Sequence, residues 1–383
     1  MNLPLAIATV WRLIVDTFRQ SLASGIFWLI GAASLLIMVM CLSVHIDAPN
    51  TLPTRPGERI EALPPTDPEA QDPQKAAGVD IIRGELSFGF GLFRDKVAYE
   101  KDTQVRFLLA VLITVFVDTI GVLLALIWTA GFIPAFLEPS NASVLLAKPI
   151  PRWSLLAGKF LGVLAFMSLH AIIFIVGTWM ALGIKTGVWP PEYLLGIPLL
   201  ILHFAVFFSF STLLAVCFRS TVVCVFGTIL IWLICWGMNW GRDMLIHVEN
   251  GSPAPPGYMT VADKAKSKQP KDQSKDQSKE QPKDQAAAPA PAETTPATPK
   301  RTPFSATSRT ITEIGYWVLP KPADMGLILY DAMGAGRFVE KPWEFQTVQR
   351  LGYFSPELSI ATSILCMLVV LGLACYQFAT MDY

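Results

Sequence analysis

Long runs of apolar residues, separated by polar segments, dominate the pattern of this chain. Each run has at least 19 residues, and a helix that rises 1.5 Å per residue needs about 20 residues to cross the hydrocarbon layer. The pattern therefore predicts six membrane-spanning helices. They cover Gly25–Val44, Phe107–Phe132, Lys159–Ile184, Leu194–Val216, Val222–Trp240 and Leu358–Phe378.

The segment before the first run has an amphipathic pattern instead. In Leu5–Ala23, apolar residues that include Trp11 and Phe18 recur every three or four positions, and polar residues take the opposite face. This predicts that residues 1–24 form a helix lying in the membrane interface. A signal peptide is the alternative, but the following apolar run is 20 residues long and no small-x-small cleavage site follows it.

Two long polar loops interrupt the apolar runs, at residues 46–106 and 241–357. The second contains a near-repeat that reads KDQS-KDQS-KEQP-KDQ from Lys271. Residues 261–300 hold 8 Lys, 6 acidic residues and no aromatic residue, a composition that cannot bury a core. We therefore predict a disordered insert there, inside a membrane protein whose domain 25–240 holds five spans and whose end, 358–383, holds the sixth.

The cations of the short loops predict the orientation. The short loop between the third and fourth spans offers Lys185 alone. The segments on the opposite side have few acids and carry Arg12, Arg19, Lys148, Arg152, Lys159 and Arg219. We therefore predict cytoplasmic termini, external loops at 46–106 and 241–357, and an all-α polytopic fold in the inner membrane of the cell, with the lipid bilayer as its surroundings.

Composition excludes two classes of protein. Charged residues make up 16% of the chain, against about 25% in soluble domains, which excludes a soluble enzyme. The 30 Lys and Arg residues balance the 30 Asp and Glu residues, so nothing indicates the basic face that nucleic acid requires. The six cysteines lie in or beside the apolar runs, where Cys behaves as a small apolar residue.

Sequence motifs for catalysis or nucleotide binding are missing. Gly158-Lys159 is followed by Phe160, and Trp153 stands where a phosphate-binding loop has its first glycine. The chain also contains no G-x-S-x-G and no H-E-x-x-H. We therefore predict neither an enzyme nor a bound cofactor.

Three ionisable residues, Asp118, His170 and His203, lie near mid-depth in the predicted spans. An ionisable side chain in lipid is costly and needs a partner, so it indicates a functional site by default. Two interpretations stay open: the residues line a substrate path, or they form polar pairs that only join helices. A soft copper site is a further alternative; its ligands would be Met38, Met40 and Cys41.

The connection at 134–158, between the second and third spans, has a short predicted helix at Ser140–Lys148. Ser140 or Asn141 would cap this helix, and Pro149 would end it. Its apolar face beside cations fits either a docking element or an ordinary loop of the cytoplasmic side.

This connection resembles one in a known family. Its residues follow the order Glu, Leu-Leu, Pro-x-x-Arg and Leu-Leu-x-Gly-Lys, within Gly131–Gly162. That order is similar to the permease, or transmembrane, subunits of type-2 ATP-binding-cassette (ABC) transporters. The matching residues are Glu138, Leu145, Leu146, Pro149, Arg152, Gly158 and Lys159.

The resemblance implies an interfacial helix before six spans, and a loop that docks onto an ABC ATPase encoded as a separate chain. It also implies a dimer with a second permease copy, identical or related, and export of the substrate. The segment Leu319–Asp324 is similar to the external re-entrant helices of that family. Two alternatives are a membrane anchor that transports nothing and an intramembrane enzyme that uses Asp118 and the histidines.

Overall fold

Most of the chain is placed by a computed structural model. It describes residues 3–23, 25–47, 84–97, 101–138, 151–249, 306–334, 348–349 and 351–380. The predicted insert at 261–300 lies outside these ranges, as do Leu145, Leu146 and Pro149.

Helices account for most of the described residues. The first part of the chain forms α1 (Leu3–Ala23), α2 (Ile26–Leu42), α3 (Lys101–Val111), a π-helix (Leu112–Gly121), α4 (Val122–Thr129) and α5 (Phe132–Phe136). The second part forms α6 (Arg152–Thr186), a 3₁₀ turn (Pro191–Leu195), α7 (Gly196–Phe218), α8 (Thr221–Glu249), α9 (Ala306–Val318), α10 (Pro322–Ala332) and α11 (Pro356–Thr380).

Five helical stretches of the described chain are long and apolar enough to cross a bilayer. They are Lys101–Phe136, Arg152–Thr186, Pro191–Phe218, Thr221–His247 and Pro356–Thr380. A sixth span results if Val10–Ala23 and Phe27–Leu42, bent by 70° relative to each other, count as one broken span. The predicted class, a helical polytopic membrane protein, is confirmed. The last helix before the 241–357 loop runs past the predicted end at Trp240, to Glu249.

The bend between α1 and α2 has a local cause. Gly25, just before α2, has a φ of 73°, a left-handed conformation that costs glycine nothing. Before the bend, α1 packs along the start of α6. After the bend, α2 continues along the same helix. Since α6 has 35 residues, it is about 52 Å long and exceeds the hydrocarbon thickness.

The core centres on α7. Residues 203–208 are each exposed by 3% or less, so the middle of this helix is buried on all sides, as its largely apolar sequence favours. Phe208 stacks between Phe160 of α6 and Phe204, with 5.3 Å between ring centroids in both pairs. Helices α4, α6, α10 and α11 all contact α7.

A small antiparallel sheet, which the sequence analysis did not predict, follows α2. Its strands are β1 (His45–Asp47), β2 (Gly84–Phe88) and β3 (Phe93–Val97), in the order β1-β2-β3. The register pairs His45 with Ser87, and Phe88 with Phe93.

The contacts divide the chain into two compact units. The larger comprises Met1–Asn239, Ile314–Glu340 and Ser355–Tyr383, and contains the sheet and most of the helices. The smaller comprises Trp240–Glu313 and Lys341–Phe354. Within the smaller unit, Arg242 lies 3.8 Å from Glu313, and Arg309 lies 3.5 Å from Glu249, which connects the end of α8 with the start of α9.

Candidate functional site

The described residues of the predicted docking motif lie around the start of α6. Glu138 is exposed just after α5. Arg152 begins α6, and its Nη1 donates to the carbonyl oxygen of Ala379, 3.4 Å away near the end of α11. The connection at 134–158 and the end of the last span therefore lie at the same end of the helices.

Gly158 and Gly162, one helical turn apart on α6, bring α1 close to this helix. A Cβ on Gly158 would lie 2.8 Å from Leu13 Cδ1 and 3.3 Å from Val10 Cα. A Cβ on Gly162 would lie 2.8 Å from Thr17 Cβ. Two small residues spaced by four allow helices to approach closely, and here they form the seat of α1.

Lys159, between these glycines, also faces α1. Its side chain is only 4% exposed, and its Nζ donates to Gln20 Oε1 over 2.8 Å. The same Nζ lies 5.9 Å from the ring centroids of Phe132 and Phe136 on α5, within cation–π range. Lys159 thus joins three elements: α1, the first turns of α6, and α5, which leads into the predicted docking loop.

This packing gives a testable prediction. Gly162→Ala should destabilise the protein by about 1–3 kcal/mol, the usual cost of overpacking, since Thr17 is branched and buried. Gly372→Ala is the matched control: nothing lies within 4 Å of a Cβ there, and alanine favours a helix by up to about 1 kcal/mol. Thermal unfolding of both purified variants measures the difference, and equal midpoints would contradict the close α1–α6 approach.

Asp118 and His203 form a polar pair between two of the described spans. His203 Nδ1 donates to Asp118 Oδ1, and joins α7 to the π-helix. His203 is 2% exposed, and its Nε2 has no hydrogen-bond partner among the described residues. An ionisable pair of this kind within a membrane span indicates a functional site by default.

The π-helix and α10 enclose this pair. In the π-helix, Thr119 Oγ1 donates to the carbonyl oxygen of Thr114, five residues earlier and 3.1 Å away. Asp118 Oδ2 would lie 3.3 Å from a Cβ on Gly326, so a larger residue there would require the carboxylate to shift by a few tenths of an ångström. The π-helix is rare and concentrates at functional sites.

His170 does not join Asp118. Its Nδ1 and Nε2 lie 3.1 and 3.4 Å from the carbonyl oxygens of Phe166 and Phe27, and its ring packs against both phenylalanine rings. It therefore connects α6 with the first turn of α2. Of the three ionisable residues predicted near mid-depth, the structure brings Asp118 and His203 together. His170 contacts α2 instead.

An apolar cavity of about 200 Å³ lies between α2, α4, α6 and α7. Its few polar lining residues are Ser34, Ser168 and His170. A cavity of this kind suits an apolar group rather than a charged one.

A second buried polar cluster, which the sequence did not reveal, lies at the α9–α10 turn. Lys321 is 1% exposed; its Nζ donates to Thr362 Oγ1 over 2.6 Å and lies 4.6 Å from the Tyr316 ring centroid. Asp324 accepts hydrogen bonds from Ser359 Oγ at 2.5 Å and from Tyr316 OH at 3.3 Å. The similarity of Leu319–Asp324 to external re-entrant helices did not indicate that the Lys321 and Asp324 side chains are buried against α11.

The copper alternative stays a prediction, and its residues lie in the last turns of α2. Met38 packs on Gly177 of α6, and Cys41 is buried. Within the described ranges, no three His, Cys, Asp or Glu side chains are grouped to hold a metal ion.

Comparison with known proteins gives one match over nearly the whole chain. The profile of a family described as "ABC-2 family transporter protein" matches residues 11–383. No curated protein and no solved structure matches the chain.

Proposed function

The chain belongs to the ABC-2 family of transporter proteins, and from this premise we propose that it exports a substrate as a dimer driven by separate ATPase subunits. Membership makes it a membrane-spanning permease subunit of an ABC transporter, a multi-pass membrane protein that is not itself catalytic. The family match is the observation that carries the proposal. Direction of transport, pairing with a second permease copy and the ATPase partner are the proposed parts.

The ATPase docks, in this proposal, on the connection at 134–158. Leu145 and Leu146 provide its apolar contacts, with Glu138, Pro149 and Arg152 around them. Support comes from the two ends of this connection, because Glu138 is exposed and Arg152 is tied to α11.

Gly158 and Lys159 serve a different part of the same mechanism. Both are buried against α1, so we propose that they transmit movement rather than touch the ATPase. A shift of the docking loop would pull on α5 and α6, and the tight α1–α6 contact would carry it to the interfacial helix as a rigid body.

We propose an orientation in the membrane from the distribution of cations in the short loops. Both termini and the docking connection face the cytoplasm, while 46–106 and 241–357 lie outside an inner membrane. The Arg152–Ala379 contact supports one part of this, since it places the docking connection and the end of the last span at the same end of the helices.

The substrate path, as we propose it, passes the Asp118–His203 pair. The buried Nε2 of His203 and the close approach of Gly326 on α10 support this. His170 would contribute separately, as one polar wall of the apolar cavity.

Co-purification tests the proposal and separates it from its alternatives. The full-length chain, expressed in its native cells and isolated in detergent, should bring down an ATPase subunit, identified by mass spectrometry. In reconstituted vesicles, substrate-stimulated ATP hydrolysis and substrate accumulation on the proposed external side are expected. An ATPase partner without either effect would favour a non-transporting anchor, and no ATPase partner would overturn the proposal. The intramembrane-enzyme alternative disagrees with the family.

Deleting residues 261–300 should leave membrane insertion and ATPase association unchanged. The segment has almost no large apolar residues, so it has little with which to pack on the membrane domain. Membrane fractionation and co-purification of the deletion variant measure this. Loss of the ATPase from the deletion variant would show that the segment takes part in assembly.

A further inference from the structure

The strand order of the small sheet brings the β2–β3 turn back to the end of α2. Since α2 ends at Leu42 and β1 begins at His45, β1 leads the chain away from α2. The antiparallel β2 returns, so its last residue, Phe88, lies near the start of β1. Ser43 connects the two: its Oγ accepts the Gly89 N–H over 3.0 Å and donates to the carbonyl oxygen of Met40 over 2.6 Å.

The end of α2 lies toward an end of the membrane spans. Along α6, Phe27 contacts His170 and Met38 contacts Gly177, so α2 runs parallel to α6 and its last turn points toward the end of α6. β1 contacts both α3, where the next span begins, and α6. The β2–β3 turn therefore lies near the end of α2, on a sheet that also contacts α3 and α6.

The turn itself is apolar and exposed. Phe90 is 75% exposed, Leu92 82% and Phe93 68%. The backbone turns through positive φ values of 67°, 57° and 90° at Gly89, Phe90 and Gly91, and the two glycines make this left-handed course affordable. We call residues Phe88–Phe93 the apolar tip.

The part of the hairpin beyond the apolar tip carries charged residues. The register places Glu85 across from Lys96, and Asp95 next to them on β3. Charged residues, beginning with Arg94, therefore follow the apolar end of the hairpin directly, as charged headgroups follow the acyl region of a bilayer.

We propose that the apolar tip inserts into the headgroup and upper acyl region of the leaflet at which α2 ends. The lipid bilayer is favoured as its partner because the tip lies next to the end of α2, a helix whose Leu35, Leu36 and Val39 are exposed. Aromatic and aliphatic side chains at this depth bind membranes.

Insertion of the tip would fix the sheet at the membrane surface. The predicted external loop at 46–106 would then also be anchored to the membrane between its two ends. This inference rests on α2 as the proposed first span. It requires neither the ATPase nor transport.

Photo-crosslinking of the full-length chain tests the inference. p-Benzoyl-phenylalanine replaces Phe90 in one variant and Lys96 in the control, which lies about 10 Å from Phe93 along β3. Both are reconstituted in vesicles of phosphatidylethanolamine and phosphatidylglycerol, irradiated and digested for mass spectrometry. We expect phospholipid adducts at position 90 in at least fivefold excess over position 96. The substitution suits position 90 because an exposed aromatic ring already stands there.

Equal lipid adducts at the two positions, adducts only to a second copy of the chain, or no lipid adduct at position 90 would each overturn the inference. Adduct formation needs no ATPase. A chain that captures lipid at position 90 but no ATPase would therefore contradict the proposed function and leave the inserted tip intact.

Discussion

Replacing Leu145 and Leu146 with Asp together should abolish association with the ATPase, while the chain still inserts into the membrane. Apolar contacts at the centre of such an interface carry most of its binding energy. A charge buried there without a partner costs several kcal/mol, or about a hundredfold or more in affinity. Co-purification of the ATPase with the double variant, relative to the unaltered chain, measures the effect.

Ser140→Asp combined with Ser143→Asp is the matched control. It adds the same two negative charges to the same predicted helix, at polar positions, and should retain the ATPase. If the leucine variant also retained it at normal levels, the docking interface would have to lie elsewhere in the chain.

Asp118→Leu should destabilise the membrane domain by about 1–3 kcal/mol, the usual cost of leaving a buried hydrogen-bonding group without its partner. His203 Nδ1 would lose its acceptor at a site that is almost fully buried. Thermal unfolding in detergent measures this loss. Adding His203→Leu should recover part of it, because the second substitution removes the unpaired ring; a further full-sized loss would show that the two residues act independently.

Asp118→Asn separates a structural role from a place in the substrate path. It keeps an acceptor for His203, so a structural role predicts a cost of roughly 1 kcal/mol and normal transport. A place in the path predicts a folded complex with normal basal ATP hydrolysis but without transport. Wild-type transport by Asp118→Asn would contradict the path and leave the residue with a packing role.

Continuous apolar runs made the second to sixth spans predictable, because a span must hide its whole backbone from lipid and needs about 20 apolar residues to do so. The short strands β2 and β3 were not predictable: their segments, Gly84–Phe88 and Phe93–Val97, are brief, and their pairing with β1 is a matter of tertiary structure. Depth along a helix could be counted from the sequence. Which neighbouring helix each face contacts could not be predicted, so the sequence allowed Asp118 to pair with either His170 or His203.

The docking motif shows the same division. Its order along the chain indicated the family, which the match over residues 11–383 confirms. The sequence did not reveal that Gly158 and Lys159 meet α1, since that contact joins residues 139 positions apart in the case of Lys159 and Gln20. Amphipathicity alone predicted the helix, but not its seat on α6.

The π-helix changes how the second span should be read by mutagenesis. A helical-wheel projection advances about 100° per residue, the value for 3.6 residues per turn, and assigns faces accordingly. From Leu112 to Gly121 the turn is wider, so Thr114 and Thr119, five apart, share one stripe. The angular phase of every later residue is offset from the projection by the accumulated difference. A mutational scan of this span should therefore use two helical-wheel projections, one for the residues before the π-helix and one for the residues after it. With a single projection, Asp118 and the residues beyond it will be assigned to the wrong side of the helix.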